Sequence, residues 1–335
     1  MHPAIAELPR HRLFAEPSPL HRLEGLERAL GGRVELWIKR EDLLPLAFGG
    51  NKLRNLEFLV GAALAAGADT LITSGRRWSN HCRLTAAAGA HAGMSVHLIL
   101  SGPPADATDP TRYSPAAGLE AILGAAVTQL PTADRDAREQ AVAAAADRVA
   151  AAGGRPYVIP VGGTGLPGVW GQVLAADELL AQATEPQALP DTIVMPSATG
   201  GTQAGLLAGL RAVGNTAAVH GVLVARTDEE LRPAISATLD ALGQRLGPRV
   251  QVDDVELDPS QLGAGYGIRT AAADEATTLL ARSEGILVDP IYTAKALAAL
   301  IAGVGSGRWD GQRVLFWHAG GTPGLFEPLD GPPGQ

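Results

Sequence analysis

The chain has 335 residues, 46% of them hydrophobic and 19% charged, enough apolar content for one large domain or two closely packed ones. Its formal net charge of -8 and its dispersed arginines exclude the basic footprint of a nucleic-acid binder and point to small-molecule partners. "MHPAIAELPRHRLF" puts charges and prolines where a signal peptide needs an apolar core, and the longest apolar run, Phe58 to Ala68, is too short for a bilayer; a cytoplasmic protein without a membrane partner is expected.

In chain order, short β-branched runs alternate with longer alanine- and leucine-rich segments. The runs are "ELWIKR" (35–40), "DTLITSG" (69–75), "SVHLILS" (95–101), "AAVTQLP" (125–131), "RPYVIPVGG" (155–163), "DTIVMPSATGG" (191–201), "AVHGVLVAR" (218–226), "GILVDP" (285–290) and "RVLFWHAGG" (313–321). This rhythm predicts an α/β protein. Several runs are apolar throughout, as parallel strands covered on both faces are, and ligands of such sheets bind beyond the carboxyl ends of the strands. A proline-rich loop is expected at 103–115 and a frayed tail at 327–335. No internal repeat is visible.

The first unusual segment is "AFGGNKLRNLEFLVGAALAAGAD" (47–69), which sets Lys52 behind two glycines and an asparagine at the mouth of an apolar helix. Glycines there let backbone approach a ligand closely. Next, "ITSGRRWSNHCRLTAAAGAHAG" (72–93) crowds Ser79, Asn80 and His81 at the start of a helix, a position that binds carboxylates. Two readings of Ser79 stand, an N-cap and a substrate contact. The single Cys82 has no disulfide partner and no zinc-ligand spacing, and reads as packing; His91 and His97 read as structural.

"MPSATGGTQAGLLAGL" (195–210) runs a strand through Ser197, Thr199, Gly200, Gly201 and Thr202 into a helix. Converging N–H groups, hydroxyls and the helix start suit a phosphate, although a tight turn without a ligand has the same outline. It is neither a Walker loop nor a full GxGxxG dinucleotide fingerprint. Farther on, "GAGYGIRTAAADEA" (263–276) sets Tyr266 between glycines, and "GILVDPIYTAKALAAL" (285–300) places Tyr292 and Thr293 at a strand-to-helix junction. Acid/base or pocket-lining work and simple packing both fit these tyrosines. In "FWHAGGTPGLF" (316–326), Gly320 and Gly321 predict a backbone wall for a flat ring, and His318 reads as a satisfied structural histidine.

A lysine at a glycine turn, a phosphate cradle and a carboxylate-binding helix start, without a nicotinamide fingerprint, suggest pyridoxal phosphate, whose aldehyde needs a lysine. "KRED" (39–42), "GGNKLRNLE" (49–57), "SNH" (79–81), "IPVGG" (159–163), "GGTQAGL" (200–206), "GYG" (265–267) and "DPIYTAKA" (289–296) resemble the D-cysteine desulfhydrase and 1-aminocyclopropane-1-carboxylate deaminase family of fold-type II enzymes, over nearly the whole chain and in order. The resemblance implies a two-domain α/β fold of open, twisted, mainly parallel sheets covered by helices, with the active site between the domains. Residues 1–50 plus 160–335 would form the large cofactor-binding domain and 51–159 the small one. It further implies that Lys52 carries the cofactor as an imine, that Thr199, Gly200, Gly201 and Thr202 hold its phosphate, and that Asn80 meets its phenolic oxygen. Ser79, Asn80 and His81 would meet the substrate carboxylate, Tyr266 and Tyr292 would flank the reacting carbons, and Thr293 would face the pyridine nitrogen.

Cyclopropane deaminases carry glutamate at the position of Thr293. A neutral threonine does not favour a protonated pyridinium, which suits removal of the α-proton by Lys52 with departure of a good β-leaving group. The function implied is a lyase acting on a β-substituted amino acid such as D-cysteine to give pyruvate and ammonia, with a homodimer usual for the family. A deaminase or β-replacement enzyme, a non-catalytic cofactor-binding regulator and a nucleotide-binding protein are the alternatives. "RRW" (76–78) and Ala319 depart from the family pattern. For Arg76, Arg77 and Trp78 two readings stand: a surface variation, and a specificity loop whose Trp78 contacts a larger or more acidic substrate.

Overall fold

The computed structural model describes residues 3–102, 114–132, 134–183, 189–247, 250 and 254–329. Most of the proline-rich loop expected at 103–115 and the end of the tail lie outside these residues. The chain opens with α1 (Pro3–Ala6), β1 (Leu20–Arg22), α2 (Glu24–Ala29) and β2 (Glu35–Arg40). Helices and strands then alternate through α3 (Lys52–Ala65), β3 (Thr70–Arg76), α4 (Asn80–Ala92), β4 (Ser95–Ser101), α5 (Pro115–Ile122), β5 (Ala126–Leu130), α6 (Arg135–Ala151) and β6 (Pro156–Val158). They continue through α7 (Trp170–Gln182), β7 (Thr192–Ser197), α8 (Gly201–Ala212), β8 (Ala218–Leu223), α9 (Asp228–Leu246) and β9 (Glu256–Asp258). Two helices, α10 (Ala271–Glu284) and α11 (Thr293–Gly305), and β10 (Arg313–His318) close the chain.

The strands form a six-stranded sheet in the order β1-β2-β10-β7-β8-β9 and a four-stranded sheet in the order β5-β4-β3-β6. Every pairing is parallel except that of β1 with β2. Alternation along the strands divides the core of the larger sheet. Ile193, Met195, Leu315 and Trp317 face one side, against residues of α7 and α8, whereas Val194, Val314 and Phe316 face the other, against residues of α10 and α11. The middles of β7 and β10 are therefore apolar on both faces, as the uninterrupted runs predict. Phe316 is fully buried, and its truncation to alanine would cost about 3–5 kcal/mol.

"GILVDP" departs from the expectation. It forms no strand, because Pro290 lacks a donor and the Asp289 carboxylate accepts from the N–H groups of Ile291 (3.0 Å), Tyr292 (2.8 Å) and Thr293 (3.0 Å), turning the chain directly into α11.

Helix α3 joins the two halves of the molecule. Its sequence has one β-branched residue, Val60, and no proline, and it is buried nearly all round. Leu53, Leu56, Leu59 and Val60 pack in the core of the four-stranded sheet, while Phe58 packs in that of the six-stranded sheet. On the α7 side glycine permits close approach: a Cβ on Gly171 would stand 2.0 Å from the Arg54 carbonyl oxygen. Lys52 begins α3 and is thereby fixed to both cores. Among the described residues no helix is long and apolar enough to cross a membrane.

Candidate active site

Lys52 leaves a turn in which Ala47 (φ 45°), Phe48 (66°), Gly49 (64°) and Gly50 (132°) all have positive φ. For alanine and phenylalanine that conformation is strained and needs support from the surroundings. Here the Arg83 guanidinium donates to the Ala47 carbonyl, Gly50 N–H to Glu41 O (2.8 Å) and Asn51 N–H to Ala319 O (3.0 Å). The last contact ties the turn to the loop after β10, where a Cβ on Gly320 would stand 2.5 Å from Gly50 Cα.

The chain contains three lysines. Lys39 donates to Ser18 O (2.7 Å) and pairs with Glu178 (2.5 Å), and Lys295 donates to Leu262 O (2.9 Å) and Gly265 O (3.3 Å). Lys52 alone has no hydrogen-bond partner among the described residues. Its amine faces a cavity of about 270 Å³, and burial without a counter-charge pulls its pKa down to about 8. The cavity accommodates a small molecule.

One end of the cavity is the start of α8. Gly200 takes φ 79°, and no side chain caps the helix, so the first-turn N–H groups are left for another acceptor. A side chain at Gly200 would meet Ile235 Cγ1 at 2.4 Å. Around this start the Ser197 and Thr164 hydroxyl oxygens are buried without partners among the described residues. Thr199, Gly200, Thr202 and Ser197 line the cavity, and Gly201 lies just behind them. Asn51 donates to Thr202 Oγ1 at 2.9 Å, locking the lysine turn to the cradle. This donor set fits a phosphate.

Another wall is the start of α4, where Ser79, Asn80 and His81 all line the cavity. Ser79 is also the N-cap, its oxygen accepting from Cys82 N–H at 3.3 Å. Asn80 Oδ1 accepts from Arg83 at 3.0 Å. His81 Nε2 lies 2.9 Å from Thr73 Oγ1, and that hydroxyl spends its proton on Ile159 O at 2.9 Å, so Nε2 carries the imidazole hydrogen and Nδ1 is a bare acceptor. Burial first, then Lys52, pushes the His81 pKa down to about 3; the ring is neutral. The Cys82 thiol is buried and its pKa raised by desolvation, which makes it a packing group.

Tyr266 and Tyr292 line the cavity together and their hydroxyls are hydrogen-bonded to each other, with ring centroids 5.8 Å apart. Burial raises the Tyr266 pKa to about 12 and that of Tyr292 well above the usual phenol value, so both keep their protons at neutral pH. Trp78 stands one layer back. Its ring lies 6.2 Å from that of Tyr266, a Cβ on Gly267 would meet it at 2.4 Å, and the Arg76 and Arg77 guanidiniums stack on it at 5.1 and 5.8 Å. Its faces are already taken, and it is not part of the cavity lining. Thr293 is likewise fully buried outside the lining, and its hydroxyl donates to Asp289 Oδ1. Ala319 and Gly320 line the cavity as backbone wall, and His318 is satisfied by Leu287 O (2.9 Å) and Gly320 N–H (3.3 Å).

Sequence reasoning missed Arg138 and Arg226, which line the cavity beside Arg76. Arg226 ends a predicted strand, where the carboxyl-end rule could have found it. Arg138 lies in "RDAREQAVAAAADRVAA", which reads as an ordinary solvated helix. Asp289 was also missed, although an acid four residues before Thr293 is a capping signal.

A free lysine amine, an uncapped glycine cradle with unpartnered hydroxyls and a backbone wall fit pyridoxal phosphate. A sequence profile of the family described as "Pyridoxal-phosphate dependent enzyme" matches residues 12–320. The chain belongs to this family. Members similar to this pyridoxal-phosphate dependent enzyme include the D-cysteine desulfhydrases of Salmonella typhi and Salmonella newport, each 40% identical over 327 residues, 96% of this chain and 97% of theirs. Among solved structures, one titled as an ACC deaminase homologue is similar at 32% identity with a TM-score of 0.86, covering 97% of both chains. A tomato (Solanum lycopersicum) threonine deaminase isoform, 18% identical with a TM-score of 0.61 over 91% of this chain and 79% of its own, shares the fold.

Proposed function

We propose that this enzyme catalyses β-elimination on a β-substituted amino acid of the D-cysteine type, releasing the substituent, pyruvate and ammonia. The observation that carries this reading is Lys52, whose amine, alone among the three lysines, has no hydrogen-bond partner among the described residues and faces the cavity. Bound pyridoxal phosphate supplies an aldehyde for that amine and a ring that takes up electrons from the substrate's α-carbon. Thr199, Gly200, Gly201 and Thr202 hold the phosphate; Asn80 meets the phenolic oxygen. Thr293, buried just behind the cavity lining, is the residue assigned to the ring nitrogen, and as a neutral side chain it brings no negative charge to hold the ring protonated.

Ser79, Asn80 and His81 hold the substrate carboxylate at the α4 start, where backbone N–H groups and helix charge favour an anion. Neutral His81 contributes through its backbone rather than as a cation. Lys52, with a pKa near 8, takes the α-proton at neutral to mildly basic pH. Tyr266 and Tyr292 flank the reacting carbons as proton-holding hydroxyls, and Trp78 fixes the loop that carries Tyr266.

Residues 51–159 form the small domain and 1–50 plus 160–335 the large one, a division supported by the four-stranded sheet, whose strands all fall between Thr70 and Val158. The enzyme works as a cytoplasmic homodimer. The test is a product assay with D- and L-cysteine, β-chloro-D-alanine and 1-aminocyclopropane-1-carboxylate. Pyruvate from the D-substrates supports elimination. Faster formation of 2-oxobutanoate from the cyclopropane would replace it with ring opening, and no keto acid from a cofactor-loaded protein would leave a non-catalytic binder.

A further inference from the structure

Among the described residues the cavity is lined by Lys52 and three arginines, Arg76, Arg138 and Arg226, and by no aspartate or glutamate. None of the three guanidiniums makes an ion pair or hydrogen bond with a described residue, and the Nε atoms of Arg76 and Arg138 are buried without partners. Behind α3, by contrast, the buried Arg54 is paired with Glu41 at 2.6 Å. Like charges gathered around one cavity repel each other, and a ligand that supplies the counter-charge relieves that repulsion.

The three do not all serve the same end of the cavity. Arg226 follows β8, whose neighbour β7 runs into the phosphate cradle, so it belongs to the cofactor end. Desolvation, then Arg135 and Arg138, lowers its pKa, partly offset by Glu230. Arg76 ends β3 on the side of Ser79, stacks on Trp78 at 5.1 Å and bears on Tyr266, which places it at the substrate end. Arg138, on α6, lines the same cavity and bears on both Arg226 and Cys82. The cradle and Arg226 suffice for a phosphate, which leaves Arg76 and Arg138 beside the place where a β-substituent would lie. Uncharged thiol is a poor match for two guanidiniums, whereas an oxyanion accepts several of their forked donors at once.

We propose that Arg76 and Arg138 form a specificity subsite for an oxyanion on the substrate's β-substituent, so that the preferred substrates are amino acids whose leaving group is a sulfonate, sulfate ester or phosphate ester. This rests on the β-elimination reading above. The Cα–H bond breaks with its proton passing to Lys52, the Cβ–S or Cβ–O bond breaks with its electron pair leaving on the oxyanion, and Cα=Cβ forms. Released 2-aminoacrylate takes up water to give pyruvate and ammonia, so no oxidant or reductant is required.

The experiment compares kcat/KM of the holoenzyme for D- and L-forms of 3-sulfoalanine, O-sulfoserine and O-phosphoserine with that for β-chloroalanine of the same configuration. Wild type is expected to favour at least one oxyanionic substrate at least ten-fold, and the three arms identify which oxyanion fits. Arg76→Gln and Arg138→Gln should each reduce that preference ratio about ten-fold, chiefly through KM, with Arg76→Lys recovering part of it because charge rather than stacking is needed. Turnover of β-chloroalanine without any preference for the oxyanions overturns this proposal and leaves elimination standing.

A binding measurement makes the proposal independent of turnover. By calorimetry, 2-amino-3-phosphonopropanoate, whose C–P bond does not leave, should bind the holoenzyme at least ten-fold more tightly than alanine and lose that advantage in Arg76→Gln. Equal binding of the two overturns the subsite whatever the enzyme turns over. Tight phosphonate binding with no keto acid from any substrate upholds the subsite as an anion-binding site and overturns elimination instead.

Discussion

Two groups of cations, one buried and one lining the cavity, meet α3 through Arg54 and Lys52. Behind it, Arg54 donates to Glu41 (2.6 and 2.8 Å) and Glu178 (2.8 and 2.9 Å), and Lys39 holds Glu178, Gln182 and Ser18 O. In front, two residues from Arg54, Lys52 faces the cavity alongside Arg76, Arg138 and Arg226, and none of the four side chains has a hydrogen bond or ion pair with a described residue. Residues two apart on a helix point in nearly opposite directions, so a single element carries both environments. The closed cluster fastens α3 to β2 and α7. The open one faces the cavity.

The largest effect should come from breaking the open side. Lys52→Ala is expected to lower turnover roughly ten-thousand-fold, since it removes both the covalent anchor and the base. Cofactor should still bind, more weakly, through the α8 cradle. Borohydride treatment of the wild-type holoenzyme followed by peptide mass analysis should mark Lys52, and a mark on Lys39 or Lys295 would show that the closed and open sets have been wrongly divided.

Breaking the closed side should act on stability instead. Arg54→Met leaves the fully buried Glu41 without its main partner, and such half-broken pairs cost about 3–5 kcal/mol. Urea unfolding measures this directly. An unchanged midpoint would mean that the cluster does not hold α3 in place.

The same contrast explains what could be read from the sequence. Parallel strands appeared as uninterrupted apolar runs because both faces of each central strand are covered, and the glycines at their carboxyl ends marked the cavity. Lys52, Ser79, Asn80, Thr199 to Thr202 and Tyr292 could be singled out because each stands at an element boundary, and Tyr266 because glycines flank it. Arg138 could not, since a residue in mid-helix gives no local sign that its side chain meets a distant strand end. "GILVDP" looked like a strand because its composition is that of one; the Asp289 cap that turns the chain is a contact between side chain and backbone, invisible to β-propensity. Trp78 was expected at the substrate because it departs from the family pattern, but its faces are filled by Gly267 and two arginines.

A third expectation concerns pH. Burial favours the neutral form of Lys52, which loses its proton through about pH 8 rather than the ordinary 10.5. The rate of cofactor loading onto the apoenzyme should therefore rise about ten-fold per pH unit below 8 and level off above it. Stopped-flow absorbance follows this. A rise that continues unbroken to pH 10 would mean that the amine is solvated and not part of a dry cavity.

The smallest effect comes from comparing two helix starts within the open side. Helix α8 begins at Gly200 with no side-chain cap, whereas α4 begins at Ser79, which accepts from Cys82 N–H. Ser79 therefore serves the fold and faces the cavity at once, and the two roles can be separated. Ser79→Ala removes the cap and should cost about 1 kcal/mol, while Ser79→Gly should cost only a few tenths, because glycine at an N-cap leaves the N–H open to water. Neither variant has a hydroxyl. If Ser79 is only a cap, the glycine variant should regain nearly all of the wild-type kcat/KM together with its stability. If the hydroxyl also meets the substrate, stability returns in the glycine variant but kcat/KM stays as low as in the alanine variant, by about ten-fold for one lost hydrogen bond to a charged group.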